Sequence, residues 1–246
     1  MSELTGKTAL ITGSTTGIGR ATAYALAARG ADVVVTGRDA QRGAEVVQKI
    51  QADGGSARFV AADLTNRDDV VRLAEQAGEV DVLVNNAGLG SFGPSATITG
   101  EQYDAMLEGN LRAVFVLTNA LAPKMAERGS GSVINVSSGA ARISGDYNAV
   151  YGATKAAVES LTRAWAAEYG PAGVRVNAVA PGPVLTSVPA EFYQGYIPVT
   201  PLRRIAQAED ISRVIAFLAG PDSAFVTGAT IPVDGGLSAV EPRLPD

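Results

Sequence analysis

The sequence predicts an α/β fold: one doubly wound sheet of about seven parallel strands, with helices on both faces. Short apolar runs alternate with helical stretches along the chain, the rhythm of parallel strands joined by crossover helices. A glycine-rich turn, Gly13-Ser14-Thr15-Thr16-Gly17-Ile18-Gly19, separates the first apolar run from the first helical one. Each unusual turn falls at the carboxyl end of an expected strand, where ligands of such sheets bind.

The first strand covers 7–12 (KTALIT), and after the glycine turn a helix covers 20–28 and stops at Gly30. Strand, glycine turn and helix together make a phosphate site, because the backbone can approach closely and a helix N-terminus favours an anion. The second strand, 32–36, ends in Gly37-Arg38-Asp39. In dinucleotide-binding sheets an acidic residue here bonds the ribose hydroxyls, whereas an arginine accommodates a 2′-phosphate. Gly37 followed by Arg38 therefore favours NADP(H) over NAD(H); the alternative is a solvated Arg38 paired with Asp39.

Helices follow at 40–52 and 66–77, with a strand between them at 57–61 that ends before Asp63-Leu64. The strand 81–84 runs into Asn85-Asn86-Ala87-Gly88. A long helix is expected over 101–127, and the fifth strand, 132–136, delivers Ser137-Ser138. An alanine-rich helix over 153–169 ends at Gly170-Pro171, a glycine stop and a residue that cannot continue a helix. The strand 174–179 ends at Pro181-Gly182-Pro183-Val184-Leu185-Thr186, and the helix 208–219 and the strand 229–233 close the pattern. No interior linker or repeat interrupts it, so residues 1–246 read as a single domain.

Composition narrows the chemistry. There is no cysteine and no histidine. That removes disulfides, thiol nucleophiles, imidazole metal ligands and a Ser-His-Asp triad, and no metal is expected. Tyrosine, lysine and carboxylates are left for acid–base work. A net charge of −5 without a basic cluster argues against nucleic acid. No apolar run is long enough for a membrane span and the N-terminus lacks a signal-peptide pattern, which points to a cytoplasmic protein.

Tyr151 and Lys155 stand four residues apart at the start of the alanine-rich helix, so both point from one face. A tyrosine is a poor acid or base at neutral pH, and an adjacent ammonium would lower its pKa by favouring the phenolate. Taken alone, the pair reads first as an exposed Tyr and Lys on a surface helix.

Together, Thr12-Gly13-x-x-x-Gly17-Ile18-Gly19, Asn85-Asn86-Ala87-Gly88, Asn110, Ser138, Tyr151-x-x-x-Lys155 and Pro181-Gly182 resemble the short-chain dehydrogenase/reductase family in its compact form, over about residues 5–237. The resemblance implies a Rossmann-type fold and an oxidoreductase that transfers a hydride between nicotinamide and a carbonyl or secondary alcohol. It implies a catalytic tetrad: Tyr151 as general acid and base, Lys155 lowering its pKa and bonding the nicotinamide ribose, Ser138 holding the substrate oxygen, and Asn110 holding a water that links Lys155 to solvent. For the cofactor it implies Gly13, Thr16, Gly17, Ile18 and Gly19 at the phosphates, Arg38 at the 2′ position, and Asp63 and Leu64 at the adenine. Asn86, Ala87 and Gly88 would border the ribose of the adenosine, Val184 and Thr186 would meet the carboxamide, and Pro181 and Gly182 would also belong to the cofactor site. Thr16 departs from the many NADP-using relatives with a basic residue in this turn.

The segment 187–202 corresponds to the family's substrate loop. It carries Phe192, Tyr193, Tyr196 and three prolines but one charge, Glu191. It would line an apolar pocket for an uncharged carbonyl compound or, alternatively, pack against a neighbouring subunit. The family's usual assembly is a homotetramer, here through the helices near 101–127 and 151–169 and the last strand. The chain also resembles 3-oxoacyl-[acyl-carrier-protein] reductases, whose acidic partner needs basic residues at the mouth. Arg128 could serve, but 170–173 carries no basic residue and the next arginine, Arg175, lies within a strand. Arg142, Arg203 and Arg204 could compensate if they lie near the mouth. A third reading is a nucleotide sensor without turnover, against which the complete Tyr-Lys-Ser set speaks.

Overall fold

The protein is described by a computed structural model covering residues 3–143, 145–186 and 190–240, with the side chains of Ala190 and Phe192 left out. Ser187, Val188 and Pro189, part of the expected substrate loop, lie outside the described residues.

The strands are β1 (Thr8–Ile11), β2 (Asp32–Gly37), β3 (Ser56–Ala61), β4 (Val82–Asn85), β5 (Gly131–Val136), β6 (Val174–Pro181), β7 (Val184–Leu185), β8 (Ala206–Gln207) and β9 (Thr230–Val233). Seven of them form a parallel sheet in the order β3-β2-β1-β4-β5-β6-β9, and β7 and β8 pair separately. The helices are α1 (Gly17–Ala28), α2 (Ala40–Ala52), α3 (Arg67–Ala77), α4 (Gly100–Leu107), α5 (Ala113–Glu127), α6 (Ala149–Tyr169) and α7 (Ala208–Ala219). This is the seven-stranded, doubly covered sheet that the sequence predicts.

Both sheet faces are covered, so the central strands are buried almost throughout, as in β1 and β4. In β1, Ala9 and Ile11 join a core built with Leu26 of α1, Val46 and Ile50 of α2, and Ile211 and Ile215 of α7. Leu10 points the other way, to Leu73 of α3, Leu117 and Leu121 of α5, and Trp165 of α6. The strand order reverses between β1 and β4, which opens the crevice beyond their carboxyl ends. The glycine turn and the segment Asn86 to Gly88 flank this crevice.

Two elements differ from the sequence expectation. The helix expected over 101–127 is interrupted by a π turn, Glu108–Arg112, between α4 and α5. The helix carrying Tyr151 begins at Ala149, so Tyr151 sits inside its first turn. Among the described residues, no helix is long and apolar enough to cross a membrane.

Candidate active site

The glycine turn is shaped by contacts that only glycine permits. Gly13 and Gly17 have φ of 63° and 51°, in the left-handed region. A Cβ on Gly19 would stand 2.3 Å from the Gly13 carbonyl oxygen and 2.5 Å from Asn86 Nδ2. The end of β4 is fastened to this turn. The Thr12 hydroxyl accepts from the N–H groups of Asn86 and Ala87, both at 2.9 Å, and Asn86 Nδ2 donates to the Thr12 carbonyl at 2.8 Å. The Asn86 amide therefore braces the turn. No side chain caps α1 at Thr16, which leaves the N–H groups of its first turn for an anion. These residues fit the diphosphate of a dinucleotide: a cradle that a Cβ would fill, at a free helix N-terminus.

At the end of β2, Arg38 extends into solvent with its guanidinium 3.9 Å from Asp63 Oδ2. Asp39 is engaged elsewhere, capping α2 through the Arg42 N–H at 3.1 Å and pairing with the Arg42 side chain at 3.3 Å. Arg38 therefore faces Asp63 and not its neighbour Asp39. Asp63 also accepts from the Thr65 N–H and hydroxyl at 3.0 and 2.8 Å. Leu64 packs against the α3/α5/α6 core. A Cβ on Gly37 would meet the Thr15 side chain at 2.9 Å, so position 37 is open except for that rotatable group.

Ser138, Tyr151 and Lys155 converge beyond β5. A Cβ on Gly152 would stand 2.6 Å from the Ala140 carbonyl oxygen, so the bare glycine lets α6 press against the turn that follows Ser138. The Ser138 hydroxyl, which accepts from the Ala140 N–H at 3.2 Å, stands beside the Tyr151 phenol. Burial pushes the Tyr151 phenol above its ordinary pKa, and Ser138 pulls it the other way. The upward direction departs from the sequence expectation. The Lys155 ammonium lies 5.8 Å from the centre of the Tyr151 ring and donates to the Val136 carbonyl at 2.9 Å. It is only 4% exposed, and burial brings its pKa down from 10.5 to about 8. Gly88 makes room for it, since a Cβ there would stand 3.1 Å from Nζ. Ser137, the other serine of the pair, is buried and donates to Glu159 at 2.9 Å.

Asn110 sits fully buried in the π turn. Its Oδ1 accepts from the Leu89 N–H at 2.9 Å, and its Nδ2 donates to the Leu89 carbonyl at 2.8 Å and to Thr154 Oγ1 at 3.2 Å. These bonds tie the helix to the loop after β4 and to the turn of α6 between Tyr151 and Lys155. The side chain is thereby spent on protein groups. At the far rim, Pro181 ends β6 beside Val233, and a Cβ on Gly182 would stand 2.8 Å from Asp234 Cβ. Val184 is buried in β7, and Thr186 faces the glycine turn, its Cγ2 3.2 Å from where a Gly17 Cβ would be.

A sequence family described as enoyl-(acyl carrier protein) reductase matches residues 13–238. A solved structure described as a short-chain dehydrogenase/reductase family protein superimposes with a TM-score of 0.92 at 49% identity, covering 97% of this chain and 100% of that one. The chain belongs to the short-chain dehydrogenase/reductase family. The hydroxynaphthalene reductase-like protein Arp2 of Metarhizium robertsii is 40% identical, over 95% of this chain and 96% of its own. A 3-oxoacyl-(acyl-carrier-protein) reductase from Agrobacterium tumefaciens C58, solved with NADP bound, has a TM-score of 0.91 at 32% identity, covering 94% of each chain. As a member of this family the protein is an oxidoreductase acting on CH-OH or carbonyl groups.

In this short-chain dehydrogenase/reductase, a short helical segment, Ala190–Tyr196, lies within the stretch 187–202 expected to line the substrate pocket. Tyr196 and Tyr147 share a hydrogen bond of 2.6 Å between their phenol oxygens, which pushes Tyr196 up to about 12. Tyr193 is hydrogen-bonded to Thr186. Phe92, which no sequence motif marks, packs against Tyr151 with ring centres 5.4 Å apart. The signal lies in the fold, because only tertiary contact brings the loop after Gly88 to α6.

Proposed function

We propose that this protein is an NADP-dependent reductase of small, uncharged carbonyl compounds, and in reverse a dehydrogenase of the corresponding secondary alcohols, in a single domain. The observation that carries this reading is Tyr151, with Ser138 beside it, next to a buried Lys155 whose ammonium lies 5.8 Å from the Tyr151 ring, beyond a turn shaped for a dinucleotide. The nicotinamide supplies or accepts the hydride. Tyr151 gives its phenolic proton to the substrate oxygen during reduction and takes one back as phenolate during oxidation. Ser138 donates to the same oxygen and stabilises the developing alkoxide. Lys155 places a positive charge beside the phenol, and Asn110 holds the loop and helix that frame it. Arg38 receives a 2′-phosphate through charge-assisted hydrogen bonds, with no carboxylate at Gly37 to oppose it. The NADP bound to the Agrobacterium relative supports the same preference.

Reduction of a carrier-bound 3-oxoacyl group is the second reading, favoured by the description of that relative. The arginines that would attract an acidic carrier are already engaged. Arg128 donates to the Val80 carbonyl at 2.6 Å and pairs with Glu79 at 3.2 Å. Arg175 turns inward to the Leu218 carbonyl and Ser223 hydroxyl, both at 2.8 Å. Arg142 pairs with Glu159 at 3.4 Å, Arg204 is held by two bonds to Asp210, and Arg203 donates to the Pro198 carbonyl. The small free substrate therefore ranks first.

The experiment is a panel of ketones, aldehydes and alcohols with both nicotinamide cofactors, followed by absorbance of the reduced nicotinamide. A 3-oxoacyl group on carrier protein is then compared with the same group on a short thiol mimic, at low and high salt. A large, salt-sensitive preference for the carrier-bound form would reverse the ranking. Absence of turnover with any compound would favour a nucleotide sensor. We also propose a homotetramer in the cytoplasm. Phe115, 45% exposed, and Leu107, Leu111 and Leu161 line a groove of about 650 Å³ on the α4, α5 and α6 face, which a second copy would cover. Light scattering at micromolar concentration tests it.

A further inference from the structure

Phe92 packs its ring against two tyrosines and is nonetheless bare. The ring is 56% exposed. It folds back over its own loop because Gly90 has no side chain; a Cβ there would stand 2.7 Å from Phe92 Cζ. The loop is anchored beside it, where the Gly93 N–H donates to the Tyr147 carbonyl at 2.8 Å. The Tyr147 ring, 40% exposed, lies 6.5 Å from that of Phe92, and its phenol is tied to Tyr196 of the substrate segment. Phe92 is tilted 60° to Tyr151 and 51° to Tyr147. Phe92, on the loop after β4, thus meets the rings of Tyr147 and Tyr151, which flank the start of α6. Single exposed apolar side chains are ordinary. A ring packed against a proton donor is not one of these, because a ketone whose oxygen meets Tyr151 must carry a substituent past it. Arg142 on this side is directed to Glu159 at 3.4 Å.

We propose that Phe92 and Tyr147 form a recognition site for a flat aromatic ring attached at or next to the substrate carbonyl, with Phe92 the specificity-determining residue. The inference rests on the carbonyl-reductase reading and names its substrate class: aryl ketones and ring-fused aromatic ketones. Tyr147, held by Tyr196, supplies the second ring beside Phe92. Offset or edge-to-face ring pairs contribute about 2- to 10-fold in affinity beyond the area they bury. A puckered saturated ring of similar size gains the burial but not the pairing.

The test compares acetophenone with cyclohexyl methyl ketone, which share the methyl ketone and differ in ring flatness. Phe92→Ala and Phe92→Leu should each lower the acetophenone-to-cyclohexyl ratio of kcat/KM by about 3- to 10-fold, and Phe92→Tyr should keep it. The ratio cancels the intrinsic reactivity of the two ketones. A binding arm uses 1-phenylethanol and 1-cyclohexylethanol titrated by calorimetry into protein loaded with reduced cofactor, where no hydride can be taken up. Wild type should prefer the phenyl alcohol, and Phe92→Ala should lose that preference. Equal loss for both rings, a Leu variant that behaves as Phe, or no discrimination between the alcohols would overturn the site. If neither ketone turns over but the phenyl alcohol still binds preferentially, the ring site stands and the carbonyl-reductase reading falls.

Discussion

Replacing Lys155 with methionine should make the cofactor-free protein more stable while removing its activity. Lys155 is 4% exposed and its pKa is brought down from 10.5 to about 8. Between these values the unfolded chain holds a proton that the folded protein has released, so stability rises with pH through this window and is lost as pH falls towards 8. Below it, the folded state carries the full cost of a buried charge, about 3 kcal/mol near pH 7 and only about 1 kcal/mol near pH 9.5. Methionine has a similar shape and no charge to bury. It forfeits the bond to the Val136 carbonyl, and leaving that acceptor unpaired costs about 1–3 kcal/mol at every pH. The variant should therefore equal or exceed wild type in stability near pH 7, and its relative position should fall by about 2 kcal/mol by pH 9.5. Urea unfolding at fixed protein concentration without cofactor measures both, because bound cofactor would add its own linkage. A stability difference that does not change with pH would refute the reasoning, since a lost hydrogen bond alone has no pH dependence. Turnover should be lost at either pH.

Tyr151→Phe keeps the ring and its packing on Phe92 but removes the proton; turnover should drop by at least about 10²-fold while cofactor binding, read by calorimetry, is retained. The double variant Gly37→Asp with Arg38→Leu should shift preference from NADP(H) towards NAD(H), and equal or better kcat/KM with NAD(H) in the unmutated protein would remove the basis for it. Asn110→Ala leaves the Leu89 N–H and carbonyl without their partner, so it should lower unfolding stability by at least about 2 kcal/mol with the urea slope unchanged.

The parts of this protein written in local sequence were legible there. The alternation of apolar runs and helices gave the sheet, and the i,i+4 spacing put Tyr151 and Lys155 on one face. What escaped depends on tertiary contact. Glu108–Arg112 reads as ordinary helix, and its π turn shows only once Asn110 is seen reaching Leu89. Spacing shows that an ammonium neighbours Tyr151 but not how deeply both are buried, and burial sets the upward direction of the phenol's pKa. Arg38 faces Asp63 from the next strand because the adjacent Asp39 caps α2. Phe92 and Tyr147 could not be chosen, since their loops are far apart in the chain and meet only over α6.

The glycines at 19 and 37 border the same crevice but differ in what surrounds them. Gly19 is hemmed in by a main-chain oxygen and by an amide already committed to two carbonyls, so neither neighbour can yield. The nearest atoms to a Cβ on Gly37 all belong to the Thr15 side chain and none to the main chain, so a change at Thr15 would open it. Mutation therefore meets a rigid diphosphate end and a permissive adenosine end within one site. A lineage of such proteins can drift between phosphorylated and unphosphorylated dinucleotides by changes at 15, 37 and 38 without loosening the turn on which either must sit.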